Sequence, residues 1–232
     1  MNFLSLFSDF VALFYPKYCD ICDRTLVKGE ECLCTHCLSD LPRTNFHLQK
    51  DNPVEMTLAG RSSVSRATAF CFFRKGNSMQ KIIHQLKYKG NKGIGVFLGK
   101  LFGLSLLESE DYKSIDIIIP VPLHPHKMKK RGYNQSEYIA VGIGEVMSKK
   151  VNISSLIRTV NTSSQTKKMR YGRWENVSTV FELKTVDNLT GKHILLVDDV
   201  ITTGATLEAA SQILLNIPNT KVSVACLACA AS

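Results

Sequence analysis

The chain has 232 residues, 44% of them hydrophobic, and a formal net charge of +9 from 29 Lys and Arg against 20 Asp and Glu. That length allows one substantial core with a small accessory module and excludes a long multidomain assembly. No stretch reaches the ~20 apolar residues of a membrane helix, so stable membrane insertion is not expected. The basic excess points to an anionic ligand or a nucleic acid. Eight cysteines, four of them in paired CxxC units, favour metal over disulfides, and with it the cytoplasm.

Met1–Phe14 places Phe3, Leu6, Phe7, Phe10, Val11 and Phe14 at helical spacing. No Lys or Arg precedes Lys17 and Asp9 interrupts the apolar run, so a short amphipathic helix is predicted rather than a signal peptide. Pro16 ends it. Cys19-x2-Cys22 and Cys34-x2-Cys37 follow, eleven residues apart. Two such knuckles complete a tetrahedral Zn²⁺ site, and a segment this short needs the metal in order to fold. Cys32 and His36 are substitute ligands that break the paired spacing; free buried thiols are the plain alternative. We place this zinc module at residues 1–50 and the second domain at 51–232. Cys226 and Cys229 lie in the strand-like run VSVACLACA. Three apart, they would point to opposite faces, as core residues and not as chelators.

Pro42–Ala67 is polar and without period, a connecting segment. Ala69–Arg74 reads as a strand and Ser78–Leu86 as a helix. The turn LKYKGNKG, with Lys87, Lys89 and Lys92, lacks the third glycine of a dinucleotide loop and the Gly-Lys-Ser/Thr of a Walker loop. It is either a solvated basic turn or a ligand-facing one. Ile115–Val121 is a second buried strand. A polar loop with Lys127, Lys129, Lys130 and Arg131 follows, and then a helix over Ser136–Val146. The basic loop is either solvated or suited to a diphosphate. Leu156–Phe181 is polar enough to be an exposed loop that closes over a site.

Ile194–Val197 is an apolar run suited to a strand buried on both faces. It ends in Asp198 and Asp199, and Thr202, Thr203, Gly204, Ala205 and Thr206 open a helix carrying Leu207, Ala210, Ile213 and Leu214. Ligands of open α/β sheets bind beyond such strand ends, and the first amides of a helix favour an anion. Two carboxylates beside them suit diol hydroxyls or a hard cation, so the ligand expected is a phosphorylated sugar. A helix cap on a surface loop is the plain alternative.

The run from Ile194 to Thr206 resembles the signature of the type I phosphoribosyltransferases. That resemblance implies a parallel sheet flanked by helices, with Asp198 and Asp199 holding the ribose hydroxyls of phosphoribosyl pyrophosphate (PRPP) as the catalytic pair. It puts the 5′-phosphate in the loop from Val200 through Thr202, Thr203, Gly204 and Ala205 to Thr206. PVPLHPHKMKKRGYNQS, the spacing of Leu156-Ile157-Arg158, Gln165, Arg170 and Asn176, the LKYKGNKG turn and the two CxxC units together resemble the ComF family over nearly the whole chain. This implies a pyrophosphate site at Val121, Pro122 and Leu123 with Lys130 and Arg131, and a flexible loop bearing Arg158, Gln165 and Arg170. It also implies structural zinc on Cys19, Cys22, Cys34 and Cys37, Mg²⁺ entering with PRPP, and a role in DNA uptake alongside the competence machinery. Three activities stay open: phosphoribosyl transfer in nucleotide metabolism of the amidophosphoribosyltransferase kind, PRPP binding coupled to single-stranded DNA, and PRPP sensing. For DNA, Tyr88, Tyr133, Tyr171 and Trp174 each lie within three residues of a basic side chain.

Overall fold

The computed structural model describes residues 15–159, 180–186 and 188–230. The helix predicted for Met1–Phe14 lies outside them, as do Gln165 and Arg170.

The strands are β1 (Ala67–Phe73), β2 (Ile117–Pro120), β3 (Lys150–Val151), β4 (Leu156–Arg158), β5 (Phe181–Leu183), β6 (His193–Ile201) and β7 (Lys221–Ala230). Five of them form one all-parallel sheet in the order β1-β7-β6-β2-β3, and β4 and β5 pair antiparallel as a separate ribbon. The expected parallel sheet flanked by helices is therefore present. The uninterrupted apolar runs of β6 and β7 follow from this burial on both faces.

The helices are α1 (Thr35–Ser39), α2 (Pro53–Leu58), α3 (Ser78–Tyr88), α4 (Lys92–Leu107), α5 (Glu110–Lys113), α6 (Pro125–Arg131), α7 (Gln135–Met147) and α8 (Ala205–Leu215). The helices α3, α4 and α7 cover one face of the sheet through Met79, Ile82, Leu86, Leu98, Phe102, Ile139 and Ile143. Cys19, Ile21, Leu33, Cys34, Cys37 and Leu41 belong to that same core, so the cysteine segment is packed onto the sheet domain. The other face carries α2, α8 and the β4–β5 ribbon through Val54, Leu58, Leu156, Phe181, Leu207 and Leu214.

The glycines of α4 serve packing rather than phosphate. A Cβ at Gly99 would fall on the Ile139 carbonyl oxygen, and one at Gly142 on that of Val96. The backbones of α4 and α7 thus cross in contact, which larger residues would forbid.

Pro42–Ala67 departs from the expected connecting segment. It contains α2 and a 3₁₀ turn at Phe46–Leu48, and it buries Phe46, Asn52, Val54 and Leu58 against β1 and α8. Asn52 caps α2 by accepting from the amides of Val54 (3.0 Å) and Glu55 (3.3 Å), while its own amide donates to the Ala67 carbonyl at 2.9 Å. The apolar residues here are too sparse to show a period, and one buried asparagine organises the turn.

The alternation of β6 slips at its carboxyl end. Leu195 and Val197 face one core and Ile194 and Leu196 the other, yet Val200 rejoins the first and Ile201 the second. On β7, Cys226 and Cys229 share one core while Leu227 and Ala228 share the other; on β1, Phe70 and Cys71 do the same. Pairing runs Asp198↔Cys226 and then Val200↔Ala228, with Ala69↔Cys226 and then Cys71↔Ala228 beyond it, so the register survives. The expectation that Cys226 and Cys229 face opposite sides is corrected by this slip. Their assignment as buried core residues holds.

Candidate functional site

The slip sets the two carboxylates. Strict alternation would point Asp198 and Asp199 to opposite faces. Instead both bond to helices of one face, Asp198 to α7 and Asp199 to α3. Asp198 Oδ1 accepts from Ser136 Oγ at 2.9 Å and from the Asp199 amide at 2.8 Å. Ser136 stands in the first turn of α7, which Asn134 caps, and Asn134 also donates to the Val121 carbonyl at 3.0 Å. The Val121 amide in turn donates to the Val197 carbonyl at 2.8 Å. Val121, Pro122 and Leu123 therefore leave the sheet beside the acidic pair. Burial, and then the charge of Asp199, push the Asp198 carboxyl up to about 7, against the opposing pull of its two hydrogen bonds and of Lys87.

Lys87 was not singled out as a site residue from the sequence. Its Nζ lies 2.9 Å from Asp199 Oδ2, and both side chains are largely buried. Lys87 also lines a cleft of about 430 Å³ with Tyr88, Gly90, His126, Lys127, Lys130 and Arg131. The question of solvated or ligand-facing lysines thus divides residue by residue. Lys87 meets the acids, whereas Lys92 lies over the rings of Tyr133 and Tyr138 at 5.5 and 5.3 Å.

The basic segment predicted as a loop is the helix α6. Pro125 stands in its first turn and Gly132 ends it at φ +79°, its amide donating to the Met128 carbonyl at 2.7 Å. The helix presents Lys127, Lys130 and Arg131 to the cleft, with Arg131 5.7 Å from the Tyr88 ring and 3.0 Å from Gln135 Oε1.

Beyond β6, Thr202 and Thr203 are exposed, Gly204 is buried, Ala205 is exposed and Thr206 and Val200 are partly covered. Gly204 adopts φ +76°, which favours glycine, and a Cβ there would press on Leu58 and Thr57 at 3.1 and 3.2 Å. Arg61 fixes the loop from outside, donating to the Thr203 carbonyl at 2.6 Å and pairing with Glu208. The helices α3, α4 and α7 each begin under an asparagine side chain, but α8 begins on Gly204 with no side-chain cap among the described residues. Its opening amides are donors suited to an anion.

Arg158 stands on the β4–β5 ribbon. It lies over the Phe181 ring at 5.3 Å, and among the described residues its buried Nε has no hydrogen-bond partner. Burial lowers its pKa while the charge of Asp198 opposes that shift.

The Sγ atoms of Cys19, Cys22, Cys34 and Cys37 all lie within 4.8 Å of one another. Cys22 and Cys34 are 3.6 Å apart, close to the ~3.8 Å edge of a tetrahedron with Zn–S bonds of about 2.3 Å. The Cys37 amide donates to Cys34 Sγ at 3.5 Å. Cys19 is held down to about 7: burial opposes this, but backbone donors of Cys34, Cys22 and Ile21 outweigh it. Cys37 is pushed well up by burial and by the neighbouring thiols. Neither Cys32 nor His36 joins the cluster; burial pushes Cys32 up to about 11, and exposed His36 pairs with Asp40 at 3.1 Å. The first knuckle is seated on α3, where Lys81 donates to the Ile21 carbonyl at 2.9 Å and Gln85 to that of Asp20.

Besides Lys87, reasoning from sequence missed Ser136, Asn134 and Arg61 as supports. An asparagine two residues before a helical run is a cap signal that was open to use for Asn134. Nothing local marks the other two.

A family profile described as "Phosphoribosyl transferase domain" matches residues 136–232, from the serine that holds Asp198 to the end of the chain. The chain is 29% identical over 220 residues to the DNA utilization protein YhgH of Escherichia coli O157:H7, covering 94% of this chain and 92% of that protein. It is 29% identical to competence protein F of Haemophilus influenzae, over 62% of this chain and 64% of the other. It is 26% identical to competence protein ComFC of Bacillus subtilis, over 82% and 80%. No helix among the described residues is long and apolar enough to cross a membrane.

Proposed function

Because this chain belongs to the ComF family within the type I phosphoribosyltransferase superfamily, we propose that it binds PRPP in the crevice between the β6–α8 loop and α6. One observation carries the reading: Lys87 touches Asp199 and lines the cleft with Lys127, Lys130 and Arg131. Lys87 thus joins the acidic pair to the rim of the basic cleft, which supports a ligand with a diol at one end and a diphosphate at the other. Asp198 and Asp199 accept from the ribose hydroxyls, and Thr202 through Thr206, with the amides opening α8, hold the 5′-phosphate. Arg131 and Lys130 hold the diphosphate, beside Val121, Pro122 and Leu123.

Transfer breaks the bond between C1 of the ribose and the diphosphate, leaving positive charge on the sugar and negative charge on the leaving group. Catalysis is then mainly electrostatic, the carboxylates stabilising the cation and Arg131 and Arg158 the leaving group. Mg²⁺ bound with PRPP would add positive charge to that leaving group, with carboxylate oxygens of Asp198 and Asp199 as its ligands here. The four cysteines hold structural zinc, which closes the Cys19–Cys37 segment against the sheet core that it shares. The names of the relatives support a place in DNA uptake or use.

Calorimetric titration with Mg²⁺–PRPP tests the reading. Wild type is expected to bind, and Asp199→Asn to bind at least about tenfold more weakly with its melting temperature kept. Equal affinity in the two proteins refutes the site.

A second reading is favoured by Tyr88, which is 65% exposed at the rim of the basic cleft. An aromatic face among lysines suits single-stranded nucleic acid. Binding of a fluorescent oligonucleotide is then expected to fall steeply with salt and to be displaced by PRPP.

A further inference from the structure

The Lys87–Asp199 contact holds an ammonium where a carboxylate pair would otherwise attract a free divalent cation. Two carboxylates adjacent in sequence and directed to one side of a sheet form a hard-oxygen site of the kind Mg²⁺ or Mn²⁺ takes. Asp198 already spends one oxygen on Ser136 and the Asp199 amide. Asp199 spends one on Lys87, whose side chain is 22% exposed and that of Asp199 13%. A pair this covered is screened by little water. The ammonium is tethered to the C-terminal turn of α3, a helix fixed to the cysteine knuckle by Lys81 and Gln85, so it does not leave the neighbourhood. Its other side opens into the cleft shared with His126, Lys127, Lys130 and Arg131.

We propose that Lys87 is a positioning residue with two partners, an internal counter-ion for Asp199 in the free protein and a diphosphate ligand in the complex. This rests on the PRPP reading of the crevice. In the free protein the ammonium neutralises Asp199 and repels a divalent ion arriving alone. A diphosphate entering the cleft competes for that ammonium with several negative oxygens. Lys87 then turns from Asp199 to the diphosphate, and the carboxylate becomes free to accept from the ribose or to bind a cation carried in with the ligand. The acidic pair is thereby selective for cation and diphosphate together. No covalent bond changes in this step.

The two partners predict effects of opposite sign on two ligands. Mn²⁺ alone, followed by the paramagnetic resonance signal of the free ion, is expected to bind Lys87→Met about tenfold more tightly than wild type. Mg²⁺–PRPP, followed by calorimetry, is expected to bind Lys87→Met about tenfold more weakly. Lys87→Arg keeps the charge and is expected to return both constants most of the way to wild type. A lysine that only braces α3 would move the two constants together or leave both alone, and either result overturns the proposal. If wild type itself fails to bind Mg²⁺–PRPP, the PRPP reading falls, while the Mn²⁺ comparison still decides whether Lys87 shields the acids. Should Lys87→Met fail to fold, ¹⁵N-lysine spectra of wild type decide, with the Lys87 ammonium signal identified by its loss in Lys87→Arg. That signal is expected to move on addition of Mg²⁺–PRPP and to stay in place with Mg²⁺ alone. No movement with Mg²⁺–PRPP overturns the proposal.

Discussion

Two clusters of ligand atoms are served by one helix, and they differ in where their positive charge comes from. Along α3, Lys81 and Gln85 hold the backbone of the first cysteine knuckle, and Lys87 reaches Asp199. The acidic pair has a cation of its own. The four thiols crowd one another within 4.8 Å, and burial together with this proximity pushes Cys37 well up. A site that carries its counter-charge can stand folded and wait for a ligand, whereas one that lacks it depends on the ion for its structure.

The largest expected effect breaks that contrast directly. On the zinc proposal, a strong chelator is expected to remove a stabilisation on the order of 10 kcal/mol from the knuckles. An early melting transition should appear in scanning calorimetry, with the parallel sheet surviving to a second one. Removing Mg²⁺ under the same conditions should leave the thermogram unchanged. A single unaltered transition with the chelator would show that the thiols hold together unaided.

A smaller effect sharpens the acidic side. Asp198 has its pKa raised from an ordinary value near 3.8 to about 7 in the folded protein. A raised carboxyl stabilises the fold while protonated, fully below about pH 4, and that contribution is lost as pH climbs to about 7. Asp198→Asn escapes the loss. Its melting temperature should exceed that of wild type by several degrees at pH 8, the gain shrinking towards pH 4, while PRPP binding is lost. A pH-independent difference would place the cost elsewhere.

The smallest effect concerns the loop after β6, for which we propose phosphate binding. Arg61→Ala removes the donor to the Thr203 carbonyl and the partner of Glu208, at a cost of about 1–2 kcal/mol. PRPP affinity should fall severalfold in calorimetry, and the Mn²⁺ affinity of the acidic pair should not change, since Lys87 is untouched.

Much of the fold was legible because the signals are local. The apolar run before Asp198 marks a buried strand, and the threonines and glycine after it mark a strand-to-helix turn. The paired cysteines show their geometry through spacing alone. What escaped was set by partners distant in sequence. Lys87 looks like any lysine of a basic turn until α3 is laid against the end of β6. Arg61 sits in a stretch whose helix is organised by the buried Asn52, and no periodicity reveals it. The helix α6 was hidden under its own charge. Pro125 and Gly132 are start and stop signals, but the lysines between them carry no apolar stripe, and none of its residues is buried.

The shared slip on β1, β7 and β6 has a consequence for the whole molecule. It runs through the sheet like a crease through stacked paper, from Phe70 across Leu227 to Asp199. The angle between the two carboxylates is therefore a property of three strands at once. Enlarging Ala228 or trimming Phe70 is expected to tilt Asp198 and Asp199 without touching them, so an inheritable change in their geometry would arise deep inside the core.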